Sequence, residues 1–268
     1  LGELVFVGLG LYDQNDISLR GLQEAETAEF VFAEFYTSLM AGLSLKGLEE
    51  RIGKKVKVVP RRVLEDENGE QVLENALKAK VVFLVPGDPM VATTHIDLRI
   101  RAEKRGIKSR VVHGASIVSA VMGLSGLQNY SFGRSVTIPF PEDRGVSETP
   151  YEVLAENKAR NLHTLCFLDI RADKKEYLSI NEALKAVLAL EEKKKKRVVG
   201  FGSLAVGVAR AGAEDVKVKA DSAKNLIEFQ FGGSPHVLVF PAPRLHFMEA
   251  EALITFADAP EWVKQMVR

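Results

Sequence analysis

Leu4-Val5-Phe6-Val7-Gly8-Leu9-Gly10 is an apolar run of strand length that ends in two glycines, and the pattern downstream of it decides the fold. Leu4–Val7 is four apolar side chains in succession, enough for a short strand. A helical pattern comes next, with Asp16 expected as its N-cap and Leu19, Leu22 and Ala25 recurring at three-residue steps. The glycines invite a dinucleotide-binding reading, which needs a third glycine three residues after the second so that helix and strand pack closely. That position is Asp13, whose carboxylate would also repel a pyrophosphate at a helix N-terminus. The dinucleotide reading is disfavoured, and a glycine turn that reverses the chain is the plainer alternative.

Outward from this run, strands are predicted at residues 30–33, 56–59, 81–85 and 111–112. Helical stretches at 45–52 and 72–79, and one carrying Ile96, Leu98 and Ile100, lie between them. Strands alternating with helices make βαβ units and a mostly parallel sheet. The second half changes character. Strands at 135–140, 164–170, 198–209, 216–220 and 237–240 and helices at 151–160 and 180–192 imply hairpin pairing and a mixed sheet. The expected fold is therefore α/β with two α/β domains, residues 1–115 around a mostly parallel sheet and 116–268 around a mixed one. The division falls where Gly114, Gly123, Gly126 and Gly133 interrupt the pattern, and a ligand is expected in the cleft between the domains.

Composition narrows the function classes. The 268 residues carry 36 basic and 36 acidic side chains, so no net basic charge favours a phosphate backbone and direct nucleic-acid binding is not expected. Cys166 is the single cysteine, which excludes an intrachain disulfide framework and a multi-thiolate zinc site and fits a reducing cytoplasm. No apolar run approaches a bilayer span, so a cytoplasmic chain without membrane contact is expected.

Several local patterns fail on inspection. Gly42 and Gly47 have the spacing of a phosphate-binding loop, but Leu48 stands where the lysine belongs. The histidines at 95, 113, 163, 236 and 246 show no pair at helical metal-ligand spacing, so no metal is expected. Ser116 lacks the glycines of a nucleophile elbow, and Cys166 falls in an apolar strand as a core residue. Lys193–Lys196 with Arg197 suit the negative end of a helix dipole. Pro86-Gly87-Asp88-Pro89-Met90-Val91-Ala92-Thr93-Thr94-His95 is more informative, since it comes after a predicted parallel strand at the edge where open α/β sheets bind ligands. Asp88 either accepts bonds from a ligand's hydroxyl or ammonium groups or caps the next helix.

Taken together, these segments resemble the archaeal-type diphthine synthases of the tetrapyrrole-methylase superfamily. The resemblance rests on Val7-Gly8-Leu9-Gly10-Leu11-Tyr12-Asp13, Phe32-Ala33-Glu34-Phe35-Tyr36-Thr37-Ser38, Pro86-Gly87-Asp88-Pro89 through His95, and His113-Gly114-Ala115-Ser116-Ile117. It continues through Leu162-His163-Thr164, Phe167-Leu168-Asp169-Ile170, Ala209-Arg210-Ala211-Gly212 and Pro235-His236. The loop 141–149 and the glycine-rich stretch 197–207 depart from the family pattern.

The resemblance implies an S-adenosylmethionine-dependent methyltransferase, a homodimer, with the cofactor folded in the interdomain cleft. Its substrate would be translation elongation factor 2 carrying a 3-amino-3-carboxypropyl-histidine, trimethylated on the amino group to give diphthine. Carried over position by position, the cofactor residues are Leu11, Asp88, Val91, Ser116, Ile117, Leu168, Ala211 and His236. No general base is nominated; catalysis is expected mainly from positioning and desolvation, with Asp88 and His236 the polar side chains to watch. The rival readings are a methyltransferase of the same fold acting on a tetrapyrrole or an RNA ribose, and a non-catalytic nucleoside-binding module.

Overall fold

The opening apolar run forms β1 (Glu3–Gly8), in which Leu4, Val5, Phe6 and Val7 are wholly closed off from solvent. The structure is a computed structural model that describes residues 2–141, 147–172 and 174–268. It comprises two units, one of Leu1–Ile117 with Ala172–Lys174 and one of Val118–Arg171 with Lys175–Arg268. The loop singled out at 141–149 has residues 142–146 outside the described residues.

In the first unit β1 is followed by α1 (Leu19–Thr27), β2 (Phe30–Ala33), α2 (Leu45–Ile52), β3 (Val56–Val58), α3 (Arg61–Glu65) and α4 (Glu70–Ala76). Then come β4 (Lys80–Val85), α5 (His95–Lys104) and β5 (Lys108–Val112). All the strand pairings are parallel, in the order β3-β2-β4-β1-β5. Alternate side chains of β1 serve two cores: Leu4 and Phe6 pack with Val63 of α3, Val72 of α4 and Leu98 of α5, while Val5 and Val7 pack with Ala25 of α1 and Leu48 of α2. Leftward crossovers on one face and rightward ones on the other are what right-handed βαβ connections require.

Two of these readings, the caps given to Asp16 and Asp88, are corrected here. Asp16 does not cap α1; Ser18 does, its hydroxyl accepting from the Gly21 N–H at 3.1 Å. Asp88 does not cap α5, whose N-cap is Thr94. Of Ile96, Leu98 and Ile100 only Leu98 is buried, because residues two apart point to different faces of a helix. The buried stripe of α5 is His95, Leu98 and Ala102.

The second unit begins with α6 (Ile117–Ser125), whose first residue belongs to the first unit, then β6 (Val136–Ile138), α7 (Thr149–Ala159) and β7 (Thr164–Leu168). A two-strand hairpin of β8 (Ile170–Arg171) and β9 (Glu176–Tyr177) precedes α8 (Ile180–Lys194). The chain then runs through β10 (Leu204–Ala209), β11 (Lys217–Ser222), α9 (Ala223–Glu228), β12 (His236–Phe240) and α10 (Phe247–Ala257). The sheet order is β11-β10-β12-β7-β6, with β6 and β7 parallel and the rest antiparallel, so the mixed sheet is as expected.

The strand predicted from residue 198 begins only at Leu204. The Glu191 carboxylate accepts the amides of Arg197, Val198 and Val199 at 2.7, 2.7 and 3.1 Å, which takes them away from a ladder. Cys166 is fully buried, and that burial pushes its thiol pKa up. Lys193 and Lys194 lie in the last turn of α8, as their charge suggests. None of the helices among the described residues is long and apolar enough to cross a membrane.

Candidate active site

At the carboxyl edge of the parallel sheet, the loops leaving the adjacent strands β4, β1 and β5 meet backbone to backbone. A Cβ on Gly8 would stand 2.5 Å from the Gly114 nitrogen and 2.5 Å from the Gly87 oxygen, and one on Gly114 would stand 2.4 Å from that same oxygen. Gly10 and Gly87 form an antiparallel bridge, with N–H to oxygen distances of 3.2 Å from Gly10 and 2.7 Å from Gly87. Both adopt positive φ, 86° and 70°, where glycine alone is unstrained.

This rim carries five of the expected residues. Leu11 is half-buried, and its N–H donates to Asp16 Oδ2 at 3.1 Å, as does that of Tyr12 at 2.6 Å. That contact is what Asp16 does in place of capping. Asp88 is nearly buried; its Oδ1 accepts from the Met90 N–H at 2.9 Å and its Oδ2 from His113 Nδ1 at 2.7 Å. Val91 is exposed on the same loop, next to Ala92, which sits at φ 54°. Ser116 and Ile117 are half-buried where the β5 loop enters α6.

Behind the rim lies a buried polar cluster that sequence reading missed. The Glu34 carboxylate accepts the N–H groups of Tyr36 and Thr37 at 2.9 and 3.0 Å and the Thr37 hydroxyl. His95 Nδ1 lies 2.6 Å from Thr93 Oγ1, and its Nε2 stands 3.6 Å from Glu34 Oε1 without a hydrogen-bond partner. Burial raises the Glu34 carboxyl pKa and lowers that of His95 to about 4, so both groups are driven toward neutrality.

In the second unit Leu168, Ala211 and His236 gather at one edge of the mixed sheet. Leu168 ends β7 and His236 opens β12; Ala209 at the end of β10 pairs with His236, and Ala211 comes two residues later. Both ring nitrogens of His236 are committed: Nδ1 accepts from the Ile180 N–H at 3.3 Å, and Nε2 donates to the carbonyls of Gly232 and Gly233 at 3.2 and 3.1 Å. Burial lowers its pKa, against the pull of those carbonyls, leaving a neutral imidazole with no free lone pair. A cavity of about 220 Å³ lies at the opposite edge of this sheet, lined by Thr164, Leu204, Phe240 and Trp262, and touches none of the expected residues.

The chain, which folds as a doubly wound parallel sheet with a glycine-built rim followed by a mixed-sheet unit, matches the tetrapyrrole (corrin/porphyrin) methylases over residues 3–226. The chain belongs to that family of methyltransferases. Within it the chain stands with the diphthine synthases. It is 51% identical over 250 residues to the diphthine synthase of Methanocella arvoryzae, covering 93% of this chain and 96% of that protein. It is 49% identical over 269 residues to the diphthine synthase of Methanosarcina mazei, covering 98% and 99%. A crystal structure of diphthine synthase superposes with a TM-score of 0.90 at 43% identity, covering 98% of this chain and 99% of the other.

Proposed function

We propose that this chain is the S-adenosylmethionine-dependent N-methyltransferase that trimethylates the amino group of 3-amino-3-carboxypropyl-histidine on elongation factor 2, forming diphthine. One observation carries the reading: the similarity to diphthine synthases, at about half identity, spreads over nearly the whole of both chains.

The rim suits the cofactor chemically. When bound, S-adenosylmethionine supplies an activated methyl group and leaves as S-adenosylhomocysteine. Asp88 keeps lone pairs on both oxygens beyond those given to Met90 and His113, enough to accept from ribose hydroxyls or an ammonium. Leu11 and Val91 offer apolar walls, and the start of α6 at Ser116 and Ile117 presents a positive helix end to a carboxylate. Gly8, Gly87 and Gly114 keep the floor free of side chains. The same reading assigns Leu168, Ala211 and His236 to the cofactor, with His236 in a binding role only, since its nitrogens are occupied.

The reading further assigns a homodimer acting in the cytoplasm on a protein substrate, without direct nucleic-acid contact. Mass spectrometry of elongation factor 2 bearing the aminocarboxypropyl-histidine, incubated with this protein and S-adenosylmethionine, tests it. Methyl groups localised to that residue are expected; an unmodified substrate, with binding of S-adenosylmethionine intact by calorimetry, would redirect the reading to tetrapyrrole or RNA substrates. Light scattering on the eluting protein tests the dimer.

A further inference from the structure

We propose that His113 is a catalytic residue that takes the proton from the substrate's amino group, with Asp88 orienting it. The proposal rests on the N-methyltransferase reading above and names a residue that reading leaves without a role.

An alkylammonium has no lone pair, so it must lose a proton before it accepts a methyl group. Trimethylation asks for this at each of three stages, on the ammonium, the methylammonium and the dimethylammonium, and the quaternary product has none left to give. A group that removes the proton at the rim belongs beside the cofactor residues, with a free lone pair and a way to reach solvent.

The five histidines separate cleanly on these terms. His95 is buried and lies 3.6 Å from the Glu34 carboxylate. His163 is buried, with Nε2 donating to Glu249 Oε1 at 2.9 Å and Nδ1 accepting from the Ala242 N–H at 2.8 Å. His236 has both nitrogens engaged. His246 is the N-cap of α10, its Nδ1 accepting from the Met248 N–H at 3.3 Å. His113 alone stands on the rim: its Nδ1 lies 2.7 Å from Asp88 Oδ2, its side chain is 74% exposed, and its Nε2 has no hydrogen-bond partner among the described residues.

A carboxylate only accepts, so the bond to Asp88 places a proton on Nδ1, and in the neutral ring the lone pair is then on Nε2. Asp88 is itself fixed by the Met90 N–H, and the residue after His113 is wedged against Gly8 and Gly87 by backbone contacts. The imidazole is therefore held at both its backbone and its ring. In the step, an N–H bond of the substrate ammonium breaks, its electron pair stays on nitrogen as the lone pair, and the proton joins Nε2. The imidazolium formed is paired with the Asp88 carboxylate and then returns its proton to water, ready for the next stage.

His113→Asn and His113→Ala test this. Asparagine can still donate to Asp88 but has no base, so S-adenosylmethionine affinity by calorimetry should stay within about twofold while turnover falls by about a hundredfold or more. Mono- and dimethylated substrate should accumulate in mass spectra. Added imidazole should restore turnover to His113→Ala, where space is open, and not to His113→Asn. In the unloaded wild-type protein, nitrogen-15 NMR should find the neutral His113 ring as the Nδ1–H tautomer. Wild-type turnover by His113→Asn, a parallel loss of cofactor affinity in both variants, or a neutral ring in the Nε2–H tautomer would each overturn the assignment. Failure of the wild-type protein to methylate elongation factor 2 would instead count against the function proposed above, while the NMR result would still decide the geometry.

Discussion

His163 donates from Nε2 to Glu249 Oε1 at 2.9 Å, with both side chains closed off from solvent. The same carboxylate accepts the N–H groups of Gln128 and His246, each at 2.9 Å, so one buried group ties α10 to β7 and to the segment after α6. Burial alone would raise the Glu249 pKa, but these bonds outweigh it and hold the carboxyl below its usual range. Removing one member strands the rest. Glu249→Ala should cost about 3–5 kcal/mol of unfolding free energy in urea melts. Glu249→Gln, which keeps an acceptor, should cost less.

His95 sets an acid limit on the first unit. Its ring packs edge-on against Phe83 at 5.4 Å, and burial lowers its pKa from 6.5 to about 4. The unfolded chain then binds a proton that the folded one refuses, so stability is full above pH 6.5 and drains as pH falls toward 4. The most this can amount to is about 3 kcal/mol. Urea midpoints of wild type and His95→Gln at pH 7 and pH 5 should show the variant losing less than wild type over that interval. Equal losses would place the acid sensitivity elsewhere.

A lower window belongs to Glu24. Arg110 donates to Glu3 at 2.6 and 3.1 Å and to Glu24 at 2.8 and 3.0 Å, and Lys80 lies 2.8 Å from Glu24. The Arg110 hydrogen bond, with help from Lys80, takes the Glu24 pKa from 4.5 to about 2. A depressed carboxyl favours the folded state above the unfolded value, and that contribution is lost as pH falls from 4.5 toward 2. Glu24→Gln should weaken the protein by about 1–2 kcal/mol at neutral pH and flatten this part of the acid limb. Arg110→Lys, which lacks the fork, should do much the same.

Gly114→Ala is the sharpest test of the rim. Its methyl group would meet the Gly87 oxygen at 2.4 Å and the Gly8 backbone under 3 Å, contacts that no side-chain rotation relieves. A loss of about 1–3 kcal/mol in stability is expected, with a larger loss in S-adenosylmethionine affinity by calorimetry. Gly123→Ala, inside α6 with open space around its Cβ, is the control: affinity should stay unchanged and stability should hold or rise by up to about 1 kcal/mol.

The first unit was the more legible in sequence because its strands are continuous apolar runs walled on both faces by helices, as β1 and β4 show. The second was harder for local reasons. α10 starts from His246, outside the usual Ser, Thr, Asp and Asn caps. The amides of 197–199 go to Glu191, so an apolar stretch that reads as strand is irregular. The expected cofactor positions came from resemblance, and the sheets gather each set at one edge of its own unit. Asp88 with His113, and Glu34 with His95, were out of reach because each pair joins loops far apart in sequence, and no spacing rule links such residues.

The bridge between Gly10 and Gly87 is made only of main-chain atoms. Nothing in it depends on which side chains flank it, so the two loops tolerate wide substitution at Leu11, Tyr12 or Met90 as far as their mutual placement goes. They do not tolerate a change in count. A single residue inserted or deleted between β1 and Gly10, or between β4 and Gly87, would slide one loop past the other and carry Asp88 away from His113. The spacing of this rim is a ruler written in chain length.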